Sequence, residues 1–180
     1  REEYLGIIEE EMKRLYTMAN GILNLTKVEN QSILTNVTEY NLSEQIRLTV
    51  LLLESKWTAR NINMNIDFGE YTINANEEMM KQVWINLLDN AIKFSPEGEE
   101  ISIRISNKSE HIYVSISGKG PHIADEEINK IFRKFYQSDS SHSTEGTGIG
   151  LALVSRIIEL HKGRIEVNSD KNINTFTVIL

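Results

Sequence analysis

Within NEEMMKQVWINLLDNAIKF, residues 76–94, Asn86, Asn90 and Lys93 follow one another at spacings of four and three. On a helix that spacing gathers them on one face, displaced from the apolar stripe of Met80, Val83, Trp84, Leu87 and Ala91. Carboxamide oxygens can complete the shell of a hard, octahedral Mg²⁺ that keeps waters and phosphate oxygens, and a lysine three residues on can meet a phosphate as a point charge. A solvated polar face of good helix formers has the same spacing, so the pattern takes its meaning from what accompanies it. A second element, EGTGIGLALV at residues 145–154, sets three glycines at alternate positions ahead of an apolar helix. Glycines let the backbone approach a phosphate, and the first helical turn offers unpaired N–H groups at the positive end of its dipole. The lysine of a P-loop is absent, and a polar loop rather than a strand leads into the glycines, so neither the P-loop nor the dinucleotide fingerprint applies. A flexible loop ending in a glycine-rich turn is the competing reading.

These residues need elements to position them. Leu5, Ile8, Met12, Leu15, Ala19 and Ile22 recur at the spacing of a coiled-coil-like helix over residues 1–30, and a lone helix of that kind must pack or dimerise; the polar character of its other faces favours dimerisation. Residues 31–42 read as a linker with a short strand near Val37 to Tyr40. From residue 43 the chain reads as one unit to its end. It begins with a helix over residues 43–60 capped by Ser43, then a half-buried strand in NINMNIDF, then the 76–94 helix capped by Asn76. Strands at 100–107 and 111–117, a short helix through Ile131, a polar loop at 137–148, a helix in IGLALVSRIIELH and strands at 164–168 and 175–180 complete it. Helices and hairpin-paired strands in this order predict an α+β fold, a two-layer sandwich with one mixed sheet covered by helices.

A chain of 180 residues with 40% hydrophobic composition can build one such domain with an appended helix. A net charge of −7 and a pI near 5.2, with no basic patch, argue against a nucleic-acid surface. The absence of cysteine excludes disulfides and thiolate-metal sites and fits a reducing, cytoplasmic setting. LTVLLL is too short to cross a bilayer, so any membrane attachment is expected from a parent chain, of which a sequence opening on Arg1 reads as a piece.

The order of NLLDNAIKFSP, SGKGPHI, IFRKFYQ and GTGIGLALV resembles the N box, first glycine box, F box and second glycine box of the catalytic, ATP-binding domain of sensor histidine kinases, members of the GHKL superfamily with the Bergerat fold. The first thirty residues, ending LNLTKVEN, look like the second helix of the dimerisation and phosphotransfer hairpin. The resemblance implies ATP and Mg²⁺ as cofactors, with Asn90 as metal ligand and Asn86 and Lys93 at the phosphates. Phe94 would lie near the nucleoside, with Gly118 and Gly120 in the first glycine box. Gly146, Thr147, Gly148, Gly150 and Leu151 would surround the phosphates. Residues 137–147 would form an ATP lid, with Phe132 and Phe135 pinning its near end by core packing. It also implies a homodimer in the full-length protein and a response regulator receiver domain as partner. At Asn86 the gyrase and MutL branch carries a glutamate as general base, and an amide cannot take that proton, which favours phosphoryl transfer over hydrolysis.

Two departures accompany the resemblance. His111, His122, His142 and His161 all lie outside any H-E-x-x-x-P setting, so the phosphoacceptor histidine is expected upstream of this sequence. The first glycine box, DxGxG in the family, has Gly118 where an aspartate meets the adenine amino group, and His122 at its second glycine. Losing a charge-assisted hydrogen bond of about 1.5 to 3 kcal/mol would lower ATP affinity about tenfold to a hundredfold. His122 is expected to strain a backbone that needs positive φ. Thr175 is the expected adenine-side hydroxyl. A nucleotide-weak regulatory module, natural or engineered, is the alternative to an active kinase domain.

Overall fold

The computed structural model describes residues 2–137 and 146–180, with side chains from Tyr4 onward. Its elements are α1 (Glu2–Glu29), β1 (Thr38–Asn41), α2 (Leu42–Leu52), α3 (Glu54–Ala59), β2 (Asn63–Asp67), β3 (Thr72–Ala75), α4 (Glu77–Phe94), β4 (Glu100–Lys108), β5 (His111–Lys119), α5 (Asp125–Ile128), α6 (Gly150–Leu160), β6 (Arg164–Asp170) and β7 (Ile173–Ile179). Five strands form one mixed sheet in the order β2-β4-β5-β7-β6, parallel between β2 and β4 and antiparallel elsewhere. Strand alternation divides its faces. Ile101, Ile103, Ile105, Val114, Ile116 and Val178 are buried on the side where α4 and α6 pack, while Ser115–Thr177 and Ser117–Thr175 pair their hydroxyls at 3.0 and 2.8 Å on the other. The expected two-layer α/β sandwich is therefore present, with Trp84, Met80, Leu88 and Ile157 at the centre of its single core.

Asn76 caps α4 as expected, its side chain accepting from the Met79 N–H at 3.0 Å. Ser43 does not cap α2. Asn41 does, accepting from the Glu44 N–H at 2.9 Å, while the Ser43 hydroxyl is buried between Gly69 and Tyr71, donating to the first carbonyl and accepting from the second N–H. Asn41, two residues upstream, satisfies an orphan donor of the first turn, which is why the cap lies there. The single helix expected over 43–60 breaks at Leu53, and Trp57 folds back so that its indole N–H donates to the Val50 carbonyl. The strand in the 31–42 segment pairs antiparallel with β3, Thr38 opposite Ala75, in a small second sheet. β3 itself, TINA, is too short to stand out by periodicity.

α1 behaves differently along its length. Leu5, Ile8, Met12 and Leu15 are 55–65% exposed, whereas Leu25 and Val28 are buried and Gly21 lies against Ile149. Lys134 pairs with Glu29, and Arg156 donates to the Gln31 carbonyl, so the lower end of the helix is fastened to the domain.

Candidate functional site

A cleft of about 830 Å³ opens along the polar face of α4, within the size range of small-molecule sites. Asn86, Asn90, Lys93 and Phe94 line one side; Gly118, Asn174 and Phe176 form the sheet end; Gly146, Thr147, Gly148, Gly150 and Leu151 close the far side, and Lys13 and Arg14 of α1 border the mouth. Segments over sixty residues apart in sequence thus meet at one place.

The α4–α6 junction is tight. Asn86 donates to the Gln82 carbonyl at 2.8 Å, which turns its Oδ1 toward Gly150, where a Cβ would lie 2.6 Å away. A side chain at position 150 would push the Asn86 carboxamide aside. The N-cap residue of α6, Ile149, makes no side-chain cap hydrogen bond, and the first N–H groups of the helix have no intrahelical acceptor and lie at the end with positive dipole character. Gly148 has φ +66° and would place a Cβ 2.8 Å from the Phe135 backbone, while its carbonyl accepts from the Phe135 N–H at 2.9 Å. The Lys93 ammonium stands 4.9 Å from the Phe94 ring centroid and beside Gly146, whose carbonyl accepts from Gln137. A cation, a helix N-terminus and close-approaching glycine backbone suit a polyphosphate. No cluster of three acidic or histidine side chains that could hold a metal by itself occurs among the described residues. A cation here would rest on the Asn90 carboxamide and on oxygens brought by a ligand, the donor set of Mg²⁺.

The structure revises four expectations. Thr175 points away from the cleft: it stands opposite Ser117 on β5 and bonds that hydroxyl on the helix-free face. Its neighbour Asn174, opposite Gly118, faces the cleft instead, as period-two alternation from Phe176 predicts. His122 is not strained. The described residues with positive φ do not include it, and the loop is stitched to the β6–β7 hairpin. The Gly120 N–H donates to the Asn172 carbonyl, the Ile123 N–H to Ser169 Oγ, and Ser169 Oγ lies 2.9 Å from His122 Nδ1. Phe135 is exposed, with φ +61°, rather than packed in the core, because its backbone is bent to reach Gly148. Phe132 is half-buried. Gly120 backs Asn174 without lining the cleft. Most of the expected lid, with His142, lies outside the described residues.

His161 carries a structural role that its helix-end position only hinted at. Its Nδ1–H donates to the Ile157 carbonyl at 2.7 Å and its Nε2 accepts from the Asn76 N–H at 3.1 Å. Burial lowers its pKa from 6.5, as the neutral tautomer in this bridge requires.

A GHKL-type ATP-binding domain is the class that this sheet, this cleft and its glycine cradle define. Residues 75–180, more than half of the chain, match the histidine kinase-, DNA gyrase B- and HSP90-like ATPases, and the chain belongs to that family. The particular proteins that it is similar to are sensor kinases. The sensor histidine kinase CusS of Escherichia coli O6:H1 (strain CFT073) is 30% identical over 173 residues, 95% of this chain and 36% of CusS, so the chain spans about a third of that relative. Histidine kinase ThkA, solved in complex with the response regulator protein TrrA, is 30% identical with a TM-score of 0.81 over 99% of this chain and 50% of that one. Full-length ShkA in complex with AMPPNP is 22% identical with a TM-score of 0.86 over 99% of this chain and 38% of that one, a likeness of fold. No described helix is long and apolar enough to cross a membrane.

Proposed function

We propose that the chain is the ATP·Mg²⁺-binding catalytic region of a cytoplasmic portion of a sensor histidine kinase, which passes the γ-phosphoryl group of ATP to a histidine outside this chain for relay to a response regulator. The observation that carries the reading is the meeting of Asn86, Asn90 and Lys93 with the start of α6 in one cleft. Bound Mg²⁺ supplies charge neutralisation for the phosphates. Asn90 offers it a carboxamide oxygen. Lys93 meets a phosphate oxygen, and the N–H groups of Gly150 and Leu151 orient the chain of phosphates. Asn86, already donating to Gln82, offers no base for water, so the site is suited to presenting the phosphoryl group rather than hydrolysing it. The exposed upper stripe of α1 suits a second copy of the chain, giving a homodimer.

Calorimetric titration with ATP tests the reading. The chain should bind ATP in the presence of Mg²⁺ and more weakly with the metal chelated, and Asn90→Ala should remove most of that metal dependence. Binding that ignores both Mg²⁺ and Asn90 would refute it.

A further inference from the structure

A polar atom buried without a partner costs free energy, so each one demands a reason. Two lie together at the sheet end of the cleft: Ser95 Oγ and Asn174 Oδ1, both shut off from solvent and neither hydrogen-bonded to a described residue. Both residues line the cleft and both flank Gly118. A Cβ at Gly118 would lie 2.9 Å from Ser95 Oγ, and Asn174 stands directly opposite Gly118 on β7. The carboxamide cannot turn over freely. Its Nδ2 donates to the Pro121 carbonyl at 2.9 Å, which leaves Oδ1 facing inward as an acceptor. Gly120 permits this arrangement, since a Cβ there would come within 3.0 Å of Nδ2. An inward acceptor repels a phosphate and calls for a donor.

We propose that Asn174 and Ser95 read the amino edge of a 6-aminopurine, Asn174 Oδ1 accepting from the exocyclic amine and the Ser95 hydroxyl donating to the neighbouring ring nitrogen. Two neutral groups thus stand in for the side chain that position 118 lacks. The inference rests on the nucleotide reading above and names the residues that give it base selectivity. A 6-oxopurine presents the opposite pattern, an acceptor where Oδ1 also accepts, so ATP is preferred over GTP. A neutral hydrogen bond sets the scale: each group contributes about three- to tenfold in affinity.

The test is titration of the chain with ATP, GTP and inorganic tripolyphosphate, each with Mg²⁺. Wild type is expected to bind ATP more tightly than GTP or tripolyphosphate. Asn174→Ala should reduce the ATP advantage about three- to tenfold while leaving tripolyphosphate affinity unchanged. Ser95→Ala guards against a folding artefact, because that hydroxyl has no partner to lose; it should keep the wild-type melting temperature and still weaken ATP. If both variants keep the full advantage of ATP over GTP, the inference is overturned and the nucleotide reading stands. If wild type binds neither ATP nor tripolyphosphate, the nucleotide reading fails and the inference falls with it.

Discussion

Gly118→Asp puts a carboxylate at the mouth of the adenine end, and the structure sets both its cost and its gain. The new Cβ would lie 2.9 Å from Ser95 Oγ and 3.3 Å from Ile101 Cγ1, so the hydroxyl must rotate and the isoleucine must yield slightly. Overpacking of this kind costs about 1 to 3 kcal/mol. Part is offset, because the displaced Ser95 hydroxyl gains a carboxylate to donate to, a bond of about 1.5 to 3 kcal/mol. The net expectation is a stability change within about 2 kcal/mol, which in a domain of this size lowers the melting temperature by no more than about 8 °C. In return the carboxylate can accept from a purine amine, a charge-assisted bond of about 1.5 to 3 kcal/mol worth about tenfold to a hundredfold in ATP affinity. The Ser95 hydroxyl, turned to the carboxylate, gives up its contribution of about three- to tenfold on the ring nitrogen, which leaves a net gain of up to about thirtyfold. Calorimetry with ATP·Mg²⁺ and thermal melts with and without nucleotide measure both quantities. Combining the change with Asn174→Ala should then cost less ATP affinity than Asn174→Ala alone, since the carboxylate supplies the acceptor. A folded Gly118→Asp/Asn174→Ala double variant that binds ATP no better than Asn174→Ala alone would refute the assignment of this end of the cleft to the base.

Three further outcomes are expected. Gly148→Ala forces a Cβ onto the Phe135 backbone at φ +66°, a local cost of about 2 to 5 kcal/mol, so the Phe135 amide should exchange its hydrogen faster and ATP affinity should fall. His161 must be neutral to accept from Asn76 while the unfolded chain protonates near 6.5, so the unfolded state binds more protons as pH falls from about 6.5 toward the lowered folded value. Stability is therefore full above that window and declines through it on acidification, and urea titrations of His161→Ala should lack this slope. Leu15→Lys alters a side chain that is 63% exposed in the single chain, so melting of the domain should hardly move while sedimentation equilibrium shifts toward monomer; an unchanged mass distribution would remove the upper stripe of α1 from any dimer contact.

The parts legible in the sequence were those with long-range periodicity or strong punctuation. α4 announces itself through Asn76, the first-turn glutamates and a stripe ending at Ala91, and β4 and β5 through strict alternation, because a half-buried element writes its burial into every second or every third and fourth residue. β3 and the break at Leu53 were not legible. Four residues carry too little pattern, and the break arises from the Trp57–Val50 contact, which depends on packing rather than on a helix-breaking residue. The orphaned Ser95 hydroxyl had no signal at all, since burial without a partner exists only after the fold is formed.

Thr175 and Asn174 show what decides a site at the level of single residues. In NINTF a hydroxyl beside the last strand looks like the better ligand, and composition alone prefers threonine in a strand. Register overrules propensity. Gly118 opposes Asn174 and Ile116 opposes Phe176, so the cleft-facing set on β7 is the even-numbered one, and Thr175 is turned to the hydroxyl ladder with Ser117. A slip of one residue would exchange the two faces and bury the wrong set. The same register sets the only carboxamide on β7 facing the cleft beside the glycine that replaces an expected carboxylate. Position 118 and position 174 are therefore one site, and a change at either must be read with the other in view.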